Sequence, residues 1–333
     1  MRKAALFYNP LSGRRRTRRL ANVEAALAVL RRGGVEAGAE PTQSQAGAGE
    51  QARQAIAGGC DTVIACGGDG TAHDVLQGMV GSEAALGIIP LGTANALAHD
   101  LRLPLSPKGA ARALLTATPR RIALGRVEYT DLEGKRGSRF FTVAAGIGAD
   151  AQLFYKLNPL LKGHLGMAAY YAKATRLWLT HPMEKFAVEM HPDSPMEVSQ
   201  LLAVRIRNFG GVLRELAPGA SLDRNHLRLV LFRTRSRMAY LNYIVRGLVG
   251  ARWQVEGIDL MDGIKIDCRS RTDAPTDSRI FVEADGELLG TLPATISIVP
   301  DALKLLFPCG SDTPVRLRSG QAMSDAFEFD SDV

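Results

Sequence analysis

The sequence lacks several features that would place a protein in a class at first sight. Its four cysteines are scattered and form no Cys-x-x-Cys pair, so neither a zinc site nor a disulfide framework is predicted, and a reducing cytosol is the expected compartment. No apolar run is long enough to span a membrane, and the run Ala4–Tyr8 is too short for a signal peptide. Any membrane contact is therefore expected to be peripheral.

Two common glycine signatures of nucleotide sites are also missing. No Gly-Lys-Ser/Thr follows the glycine-rich turns, so the chain has no P-loop, and its central turn does not match the dinucleotide pattern Gly-x-Gly-x-x-Gly. Aromatic residues are not interleaved with the basic ones, as they are in many nucleic-acid-binding surfaces. This absence counts against a nucleic-acid partner.

Composition predicts a soluble globular protein with two domains. The chain has 333 residues, of which 46% are hydrophobic and 23% charged, which allows a large core. The net charge of +7 is unevenly spread, because five arginines crowd into Arg14–Arg19 while acidic residues collect after Asp325. The basic stretch is expected to face something anionic, or simply water.

One stretch, Thr62–Met79, has the pattern of a phosphate site. The apolar run Val63–Cys66 predicts a buried strand, and the chain then turns sharply at Gly67-Gly68-Asp69-Gly70. Thr71 is predicted to cap a helix whose apolar positions follow at helical spacing. A strand that passes through glycines into a helix N-terminus directs backbone N–H groups into one concavity. The same residues also fit an ordinary tight turn.

The pattern strand, loop, helix occurs four times in the first third of the chain. Strands are predicted at 4–8, 35–39, 63–66 and 85–89, and helices at 17–30, 46–57, from 71 and from 95, with one more helix at 107–116. This alternation indicates a parallel sheet with helices on its faces, and ligands of such sheets bind at the carboxyl ends of the strands. The loops at Asn9, Gly67 and Gly92 are therefore expected on one rim.

After Pro119 the pattern changes to short, turn-bounded, β-rich segments, which predict a second, largely antiparallel domain. We expect a nucleotide-binding domain at 1–119, a β-rich domain at 120–310 and a flexible acidic tail at 311–333. Leu153–Thr180 is a cationic amphipathic interruption that either packs on the second domain, the preferred interpretation, or faces a membrane. Met238–Val249 is predicted to be a shorter helix of unassigned role.

Phosphoryl transfer to a hydroxyl needs a carboxylate that takes the proton, and the second domain offers one in Asp285-Gly286-Glu287, after a predicted strand. Asp-Gly between strands is equally a hairpin turn signal, and Glu287 could be a solvated turn residue. His73 and His99 follow the two glycine turns, but they lack metal-ligand spacing and are predicted to lie on helix surfaces.

Five motifs in this order resemble the diacylglycerol kinase catalytic-domain family of lipid kinases, which includes sphingosine and ceramide kinases. They are Asn9-Pro10-x-Ser12-Gly13, Gly67-Gly68-Asp69-Gly70-Thr71, Pro90-Leu91-Gly92-Thr93-Ala94-Asn95, Gly146-Ile147-Gly148-Ala149-Asp150-Ala151 and Asp285-Gly286-Glu287. The resemblance extends from Ala4 to about Pro308. It implies an amino-terminal Rossmann-like parallel α/β domain, a carboxy-terminal antiparallel β-sandwich-like domain, and ATP in the cleft between them.

The resemblance also implies roles for individual residues. By motif matching, the contacts to ATP would come from Asn9, Pro10, Ser12, Gly13, Thr42, Gly67, Gly68, Asp69, Gly70, Thr71, Gly92, Thr93 and Asn95. The base would lie in the carboxy-terminal turn, where we favour Asp285 with Glu287 as its close partner. Mg²⁺ is expected with ATP, because it neutralises the phosphates in such transfers. Asp69 is expected to organise its loop or to contact metal and nucleotide.

Two departures from the family pattern affect the expected metal chemistry. Many bacterial members have Asn-Asp where this chain has Asn95-Ala96, so one acidic contributor is missing or replaced, with Asp100 as a candidate. In relatives with a structural magnesium, a carboxylate stands where this chain has Arg224, and an arginine cannot bind a cation. No residues are therefore assigned as metal ligands.

The leading hypothesis is an ATP-dependent lipid kinase that phosphorylates a hydroxyl of a diacylglycerol-like or long-chain-base lipid. It would be cytoplasmic and peripherally associated with the inner face of the membrane through its basic residues, Arg14–Arg19 and the segment Leu153–Thr180. One alternative is NAD kinase, which also uses a Gly-Gly-Asp-Gly turn. Another is a non-catalytic nucleotide or nucleic-acid binding protein. The sequence sets neither the lipid nor the oligomeric state.

Overall fold

The fold was examined in a computed structural model of the chain. The structure describes residues 1–10, 16–43, 47–148, 183–190, 195–210, 215–249, 253–271 and 279–309. The predicted amphipathic segment Leu153–Thr180 and the predicted acidic tail at 311–333 lie outside these residues. Among the residues described, no helix has both the length and the apolar character needed to cross a membrane.

The amino-terminal part is a parallel sheet with helices on its faces, as the sequence predicts. Its elements are β1 (Lys3–Tyr8), α1 (Arg16–Arg32), β2 (Glu36–Pro41), α2 (Ala48–Ala57), β3 (Thr62–Gly67), α3 (Asp69–Leu76), β4 (Ala85–Pro90), α4 (Ala96–Asp100) and α5 (Pro107–Leu115). The four strands are parallel in the order β4-β3-β1-β2. All six residues of β3 and of β4 are buried, because strands covered on both faces carry continuous apolar runs.

The carboxy-terminal part is mainly antiparallel. Its elements are β5 (Thr118–Thr130), β6 (Arg136–Phe141), β7 (Ala144–Gly148), β8 (Phe186–Glu189), β9 (Met196–Val198), β10 (Gln200–Val204), β11 (Leu227–Phe232), α6 (Arg237–Val249), β12 (Ile258–Gly263), β13 (Lys265–Ser270), β14 (Phe281–Ala284) and β15 (Glu287–Phe307). The strands β12-β11-β10-β7-β14-β15 form one run, and β5, β6, β13, β8 and β9 branch from β15. Side chains from both sets enclose one apolar cluster, so the predicted β-sandwich is confirmed.

β15 joins the two parts into one mixed sheet. Near its carboxyl end it pairs in parallel with β4, with Lys304 opposite Ala85 and Leu305 opposite Leu86. Along the rest of its length it pairs antiparallel with β14, β13 and β5. The boundary predicted near Pro119 stays a prediction; in the structure β5 begins at Thr118 and pairs with the end of β15.

α6 covers part of the second domain that the sandwich core does not fill. Its Tyr240 and Tyr243 pack with Phe232 of β11 and Met183, in an apolar cluster separate from the sandwich core. Ala144 and Phe209 pack against both this cluster and the core of the amino-terminal part. The apolar cluster under α6 is therefore in contact, through these two residues, with the core of the amino-terminal part.

Candidate active site

The predicted rim of loops exists at the carboxyl ends of the four parallel strands. Asn9 and Pro10 follow β1, and the N–H of Thr42, directly after β2, donates to the Tyr8 carbonyl at 2.9 Å. The turns after β3 and β4 complete the same edge because all four strands run in one direction. Ser12 and Gly13, predicted with this rim, lie outside the described residues.

The two glycine turns pack backbone against backbone. A Cβ atom on Gly92 would lie 2.5 Å from the Cα atom of Gly68, so neither turn has room for a side chain there. The N–H of Leu91 donates to the Gly67 carbonyl at 2.7 Å. Asn95, with φ of 51°, accepts from the Gly92 N–H and donates to the Gly92 carbonyl, both at 2.9 Å. The close approach leaves the backbone groups of both turns beside one concave edge.

The residue predicted to cap the helix after the first turn is placed differently. α3 begins at Asp69, with Gly68 in an extended conformation before it, so the prediction that Thr71 is the N-cap is wrong. Thr71 lies in the first turn and is buried, and its Oγ1 would be 2.3 Å from a Cβ atom on Gly67. Gly67 is therefore required for the packing of this turn. Thr93 is exposed on the second turn.

Asp69 links the two turns. Its Oδ1 accepts from the N–H of Leu97 at 3.4 Å, at the start of α4. Burial raises the pKa of the Asp69 carboxyl, and the nearby charge of Asp285 adds to this increase. This position fits the predicted role of a loop organiser.

The Asp285-Gly286 turn is both a hairpin turn and part of this site. Both residues have positive φ, 49° and 83°, as a two-residue turn between β14 and β15 requires. The hairpin brings Asp285 to the start of β7, where backbone N–H groups of Thr142, Val143 and Ala144 donate to its carboxylate at 2.9 to 3.1 Å.

Two further side chains complete the surroundings of Asp285. The Thr142 hydroxyl donates to its Oδ2 at 3.4 Å, and Nδ1 of His73 lies 3.2 Å from the same oxygen. Four donors, the three N–H groups and the Thr142 hydroxyl, therefore surround a carboxylate with about four lone-pair directions, and Nδ1 of His73 lies beside them. The Asp285 side chain is 2% exposed. No lone pair remains for a substrate proton.

Glu287, the first residue of β15, lies directly against the glycine turn. Its Oε1 would be 3.1 Å from a Cβ atom on Gly70, so a larger residue at position 70 would fit only if the carboxylate moved by a few tenths of an ångström. Burial raises the pKa of Glu287; the charges of Asp74 and Asp285 act in the same direction, and those of His73 and Arg139 oppose them. The structure thus brings Glu287 from one domain to Gly70 of the other.

His73 is not the surface residue that the sequence predicts. It is 1% exposed, and its Nδ1 faces Asp285 across the domain junction. Burial lowers the pKa of His73, but the hydrogen bond and charge of Asp285 outweigh this effect, so the net pKa is raised. His99 is half-buried, and its ring packs where a Cβ atom on Gly210 would lie.

Sequence reasoning missed two further residues of α3 and its end. The Gln77 amide pairs with the backbone of Phe140 in β6, donating to its carbonyl at 2.8 Å and accepting from its N–H at 3.0 Å. Oδ1 of Asp74 is buried and has no hydrogen-bond partner among the residues that the structure describes. Helical spacing places Asp74 and Gln77 on one face of α3 together with His73. The sequence does not show that this face contacts the second domain, where Gln77 meets Phe140 and His73 meets Asp285.

The chain matches two family profiles over most of its length. The profile described as "Diacylglycerol kinase catalytic domain" matches residues 3–127, and "YegS C-terminal NAD kinase beta sandwich-like domain" matches residues 142–307. A diacylglycerol kinase from Staphylococcus haemolyticus is 30% identical over 252 residues, which cover 74% of this chain and 72% of that protein. The chain belongs to the diacylglycerol kinase catalytic-domain family.

Other members of the family match nearly the whole chain. A diacylglycerol kinase from Mycobacterium tuberculosis is 29% identical over 313 residues, covering 92% of this chain and 95% of that protein. Two crystal structures from Bacillus anthracis str. Sterne have TM-scores of 0.71 and 0.66 at 20% and 18% identity, and each covers 92% of this chain and 97–98% of that chain; the second is described as a diacylglycerol kinase. The structures support the fold, and the relatives' names support a kinase-type phosphotransferase.

The departures from the family pattern have structural counterparts. Ala96 is buried at the start of α4. Asp100 accepts from the N–H groups of Arg207 and Asn208 at 2.9 Å each, so its Oδ1 fixes that loop. Burial raises the pKa of Asp100, against the effect of those hydrogen bonds. Nη1 of Arg224 lies 3.2 Å from Nε2 of His226.

Within the described ranges, no group of three or more His, Cys, Asp and Glu side chains is arranged to hold a metal.

The carbonyl groups of the turn around Arg224 are held by a buried guanidinium. Arg205 is 0% exposed and donates from Nη1 to the carbonyls of Arg224 and His226, at 2.7 Å each. From Nη2 it donates to the carbonyls of Ala123 and Leu222, at 2.9 and 3.1 Å. Burial lowers the pKa of Arg205 to about 10, which the charge of Asp223 partly opposes. A positive charge inside the protein thus orders this turn.

The basic stretch after β1 is only partly available to a surface. Arg19 is 6% exposed, and its Nη1 donates to the Asn9 carbonyl at 2.8 Å. It therefore positions the first rim loop, and its side chain is not available to a membrane surface; the expected membrane contact of the other arginines in Arg14–Arg19 stays a prediction. Arg18 is exposed, and Arg14 and Arg15 lie outside the described residues.

Proposed function

We propose that this protein is an ATP-dependent lipid kinase that transfers the γ-phosphoryl group to a hydroxyl of a diacylglycerol-like lipid. The observation that carries the proposal is the contact of Glu287 with Gly70. It joins a carboxylate from the β-rich domain to the glycine turn of the nucleotide-type domain. Phosphoryl transfer requires this combination, a backbone cradle for phosphates beside a carboxylate that takes the acceptor's proton. The names of the relatives support a lipid acceptor.

Between the two carboxylates, Glu287 is the better candidate for the base. A general base needs a lone pair directed at the substrate and a pKa high enough to accept a proton. The donors around Asp285 occupy its lone pairs, whereas burial raises the pKa of Glu287 above the ordinary value of 4.5. This reverses the preference drawn from the sequence. In the proposal Asp285 is a positioning residue that fixes the hairpin and, through it, Glu287.

The reaction then has a simple balance. Glu287 takes the hydroxyl proton of the lipid, and the hydroxyl oxygen forms a bond to the γ-phosphorus of ATP. The bond from that phosphorus to the β–γ bridging oxygen breaks, and ADP leaves with the electron pair. The N–H groups of the turns after β3 and β4 would bind phosphate oxygens, and the packed glycines hold these groups in place.

Mg²⁺ is proposed as the companion of ATP, brought to the site with the phosphates rather than held by a preformed cluster among the described side chains. Asp69, Asp74, Asp285 and Glu287 influence one another electrostatically, and Asp74 has a buried oxygen without a partner in the part of the chain that the structure describes. Phosphates and this many carboxylates repel one another unless a cation lies between them. Asp69, beside the glycine turn, would contact Mg²⁺ together with the phosphates, and the charge of the ion would neutralise the transferring group.

The test is a transfer assay with labelled ATP and a lipid extract, with the products identified by mass spectrometry. We expect label in a phosphorylated diacylglycerol-like lipid, and we expect Glu287→Gln to lower kcat about 10²- to 10⁴-fold with little change in the KM for ATP. Glu133→Gln, at an exposed turn, is the matched control. Full activity of Glu287→Gln would remove it as the base, and label only in NADP would make the protein an NAD kinase.

The pH dependence separates a base from a structural carboxylate. Because the pKa of Glu287 is raised, its ionised fraction falls as the pH drops through a value above 4.5. We therefore expect kcat of the native enzyme to fall on the acid side above pH 4.5, and we expect Glu287→Gln to lack that limb. An unchanged acid limb in Glu287→Gln would assign the limb to another group.

A further inference from the structure

The surface of α6 is unusual because its exposed side is apolar. Met238 and Val249 are 71% and 65% exposed, the highest values among the large apolar residues that the structure describes apart from Ile264. The other large apolar side chains on this side are Leu241, Ile244, Val245 and Leu248. The helix buries instead its two tyrosines, Arg246 and Gly247. An exposed patch of this kind marks an interaction site more often than a random surface.

The helix segment itself is basic, although acidic residues lie nearby: Asp259 pairs with Arg233 at 2.8 Å, and Glu197 and Glu256 line the groove beside the helix. From Arg233 to Val249 the sequence has four arginines and no aspartate or glutamate. Arg233 and Arg235 are exposed at the start of the helix, while Arg246 is buried against the Tyr243 ring, 4.2 Å from its centroid. An apolar helix face with basic residues beside it matches an anionic lipid surface, whose headgroups attract arginine and whose acyl region accepts apolar side chains.

A groove and a tryptophan extend the same surface. The groove has a volume of about 1020 Å³ and runs along α6, with Met238, Leu241 and Val245 on its wall and Lys185 among the other lining residues. Trp253 is 43% exposed just beyond the helix, and its Nε1–H donates to Asn242 at 3.1 Å. Tryptophan side chains favour the boundary between water and lipid because they combine a large apolar ring with one donor.

We propose that the exposed face of α6, with Arg235 and Trp253, docks the protein on an anionic bilayer surface. The residues of this docking face are separate in the sequence from Arg14–Arg19 and from Leu153–Thr180. The proposal rests on the proposed lipid-kinase function, because an enzyme whose acceptor resides in a bilayer has to lie against that bilayer. It gives the protein a membrane-binding surface on a rigid helix of the β-rich domain.

Vesicle binding without ATP tests the docking separately from catalysis. We expect the full chain to sediment with phosphatidylcholine–phosphatidylglycerol vesicles much more than with pure phosphatidylcholine vesicles. The double variant Leu241→Gln/Leu248→Gln should weaken partitioning at least about tenfold, because two exposed leucines no longer enter the lipid. The matched control is Leu132→Gln/Ile264→Gln, which changes exposed apolar side chains elsewhere and should bind normally.

Two further measurements test the role of the charge of Arg235 and the position of Trp253 relative to the lipid. Arg235→Glu should weaken binding to the anionic vesicles roughly tenfold, whereas Lys108→Glu on α5 should have a smaller effect. In a Trp178→Phe variant, Trp253 is the remaining tryptophan, and we expect its emission to shift to the blue on anionic vesicles and to be quenched by brominated lipid. Emission unchanged at saturating vesicles would place Trp253 outside the lipid and overturn the proposal.

Three other outcomes would also overturn it. Normal vesicle binding by the double leucine variant would exclude α6 as the docking face. Equal binding to both kinds of vesicle would remove the argument from charge. If light scattering shows a dimer that only the α6 variants dissociate, the face joins two copies of the chain. Activity on a monomeric short-chain diacylglycerol reports on catalysis alone, so its loss would refute the proposed function without deciding the docking.

Discussion

Replacing Asp285 with asparagine separates the structural role of this residue from a catalytic one. Asparagine tolerates the positive φ of 49° at this position, so the turn itself should be retained. Its carbonyl oxygen can take the place of Oδ1 and accept from the N–H groups of Val143 and Ala144. Its NH₂ group then lies where Oδ2 was, opposite the Thr142 N–H, so a donor faces a donor.

The expected loss of stability follows from these bonds. Leaving the buried Thr142 N–H without an acceptor costs about 1–3 kcal/mol, and the other bonds lose the part of their strength that came from the charge. We therefore expect a decrease of about 2–4 kcal/mol in the free energy of unfolding. In a chain of this size that corresponds to a melting temperature lower by roughly 3–6 °C.

The measurement is urea and thermal unfolding followed by circular dichroism, with Glu287→Gln as the comparison. Burial disfavours the ionised form of Glu287, so the pKa of this group is higher in the folded chain than in the unfolded chain. Its contribution to stability is therefore present at low pH and is lost as the pH rises through the folded pKa. Glu287→Gln should thus be as stable as the native protein, or more so, at neutral pH. If Asp285→Asn keeps native stability but loses activity, the hydrogen bonds around Asp285 are not structural, and the sequence-based choice of Asp285 as the base is restored.

Three further changes test the contacts that shape the site. Gln77→Ala should leave the Phe140 backbone groups unpaired, cost about 1–3 kcal/mol, and increase hydrogen exchange at Phe140 before other parts of the sheet. Gly92→Ala should weaken nucleotide binding measured by calorimetry at least about tenfold, since its Cβ would meet Gly68, whereas unchanged binding would show that the two turns can separate. Arg205→Leu should lower the free energy of unfolding by about 3 kcal/mol or more, because four carbonyls lose their donor; a change below about 1 kcal/mol would contradict that role.

The parallel strands of the first domain were predictable because each is a local signal. β3 and β4 are continuous apolar runs that end at glycine-containing turns, and the direction of the strands then brings those turns together. Within β15, only Thr295–Val299 reads as a short β-rich run in the sequence, whereas the strand extends over Glu287–Phe307. Pro293 and Pro300 lie within it, and the strand continues past them by shifting register between Thr291 and Thr295 and between Val299 and Leu303. A proline at such an irregularity looks the same in sequence as a proline that ends a strand.

The motifs of the candidate site were found from the sequence, whereas the proposed division of roles between Asp285 and Glu287 depends on contacts that only the structure shows. The preference for Asp285 over Glu287 came from motif matching, while the number of donors around each carboxylate depends on β7 folding beside the hairpin. The sequence predicts a surface position for His73, because no residue near it in the sequence indicates that Asp285, in the turn after β14, is its partner. Contacts between residues more than two hundred positions apart leave no local pattern, so this part of the site needed the structure.

The pairing of β15 with β4 has a consequence for the order in which the protein acquires its structure during synthesis. β4 has β3 on one side, and its other edge is covered by Lys304 and Leu305, which the ribosome adds long after the rest of the nucleotide-type domain. Until then the nascent chain presents an open apolar strand edge, the kind of surface that pairs with other chains. Completion of the first domain therefore waits for the end of the second, and chaperones that cover exposed strand edges should bind the nascent chain throughout that interval.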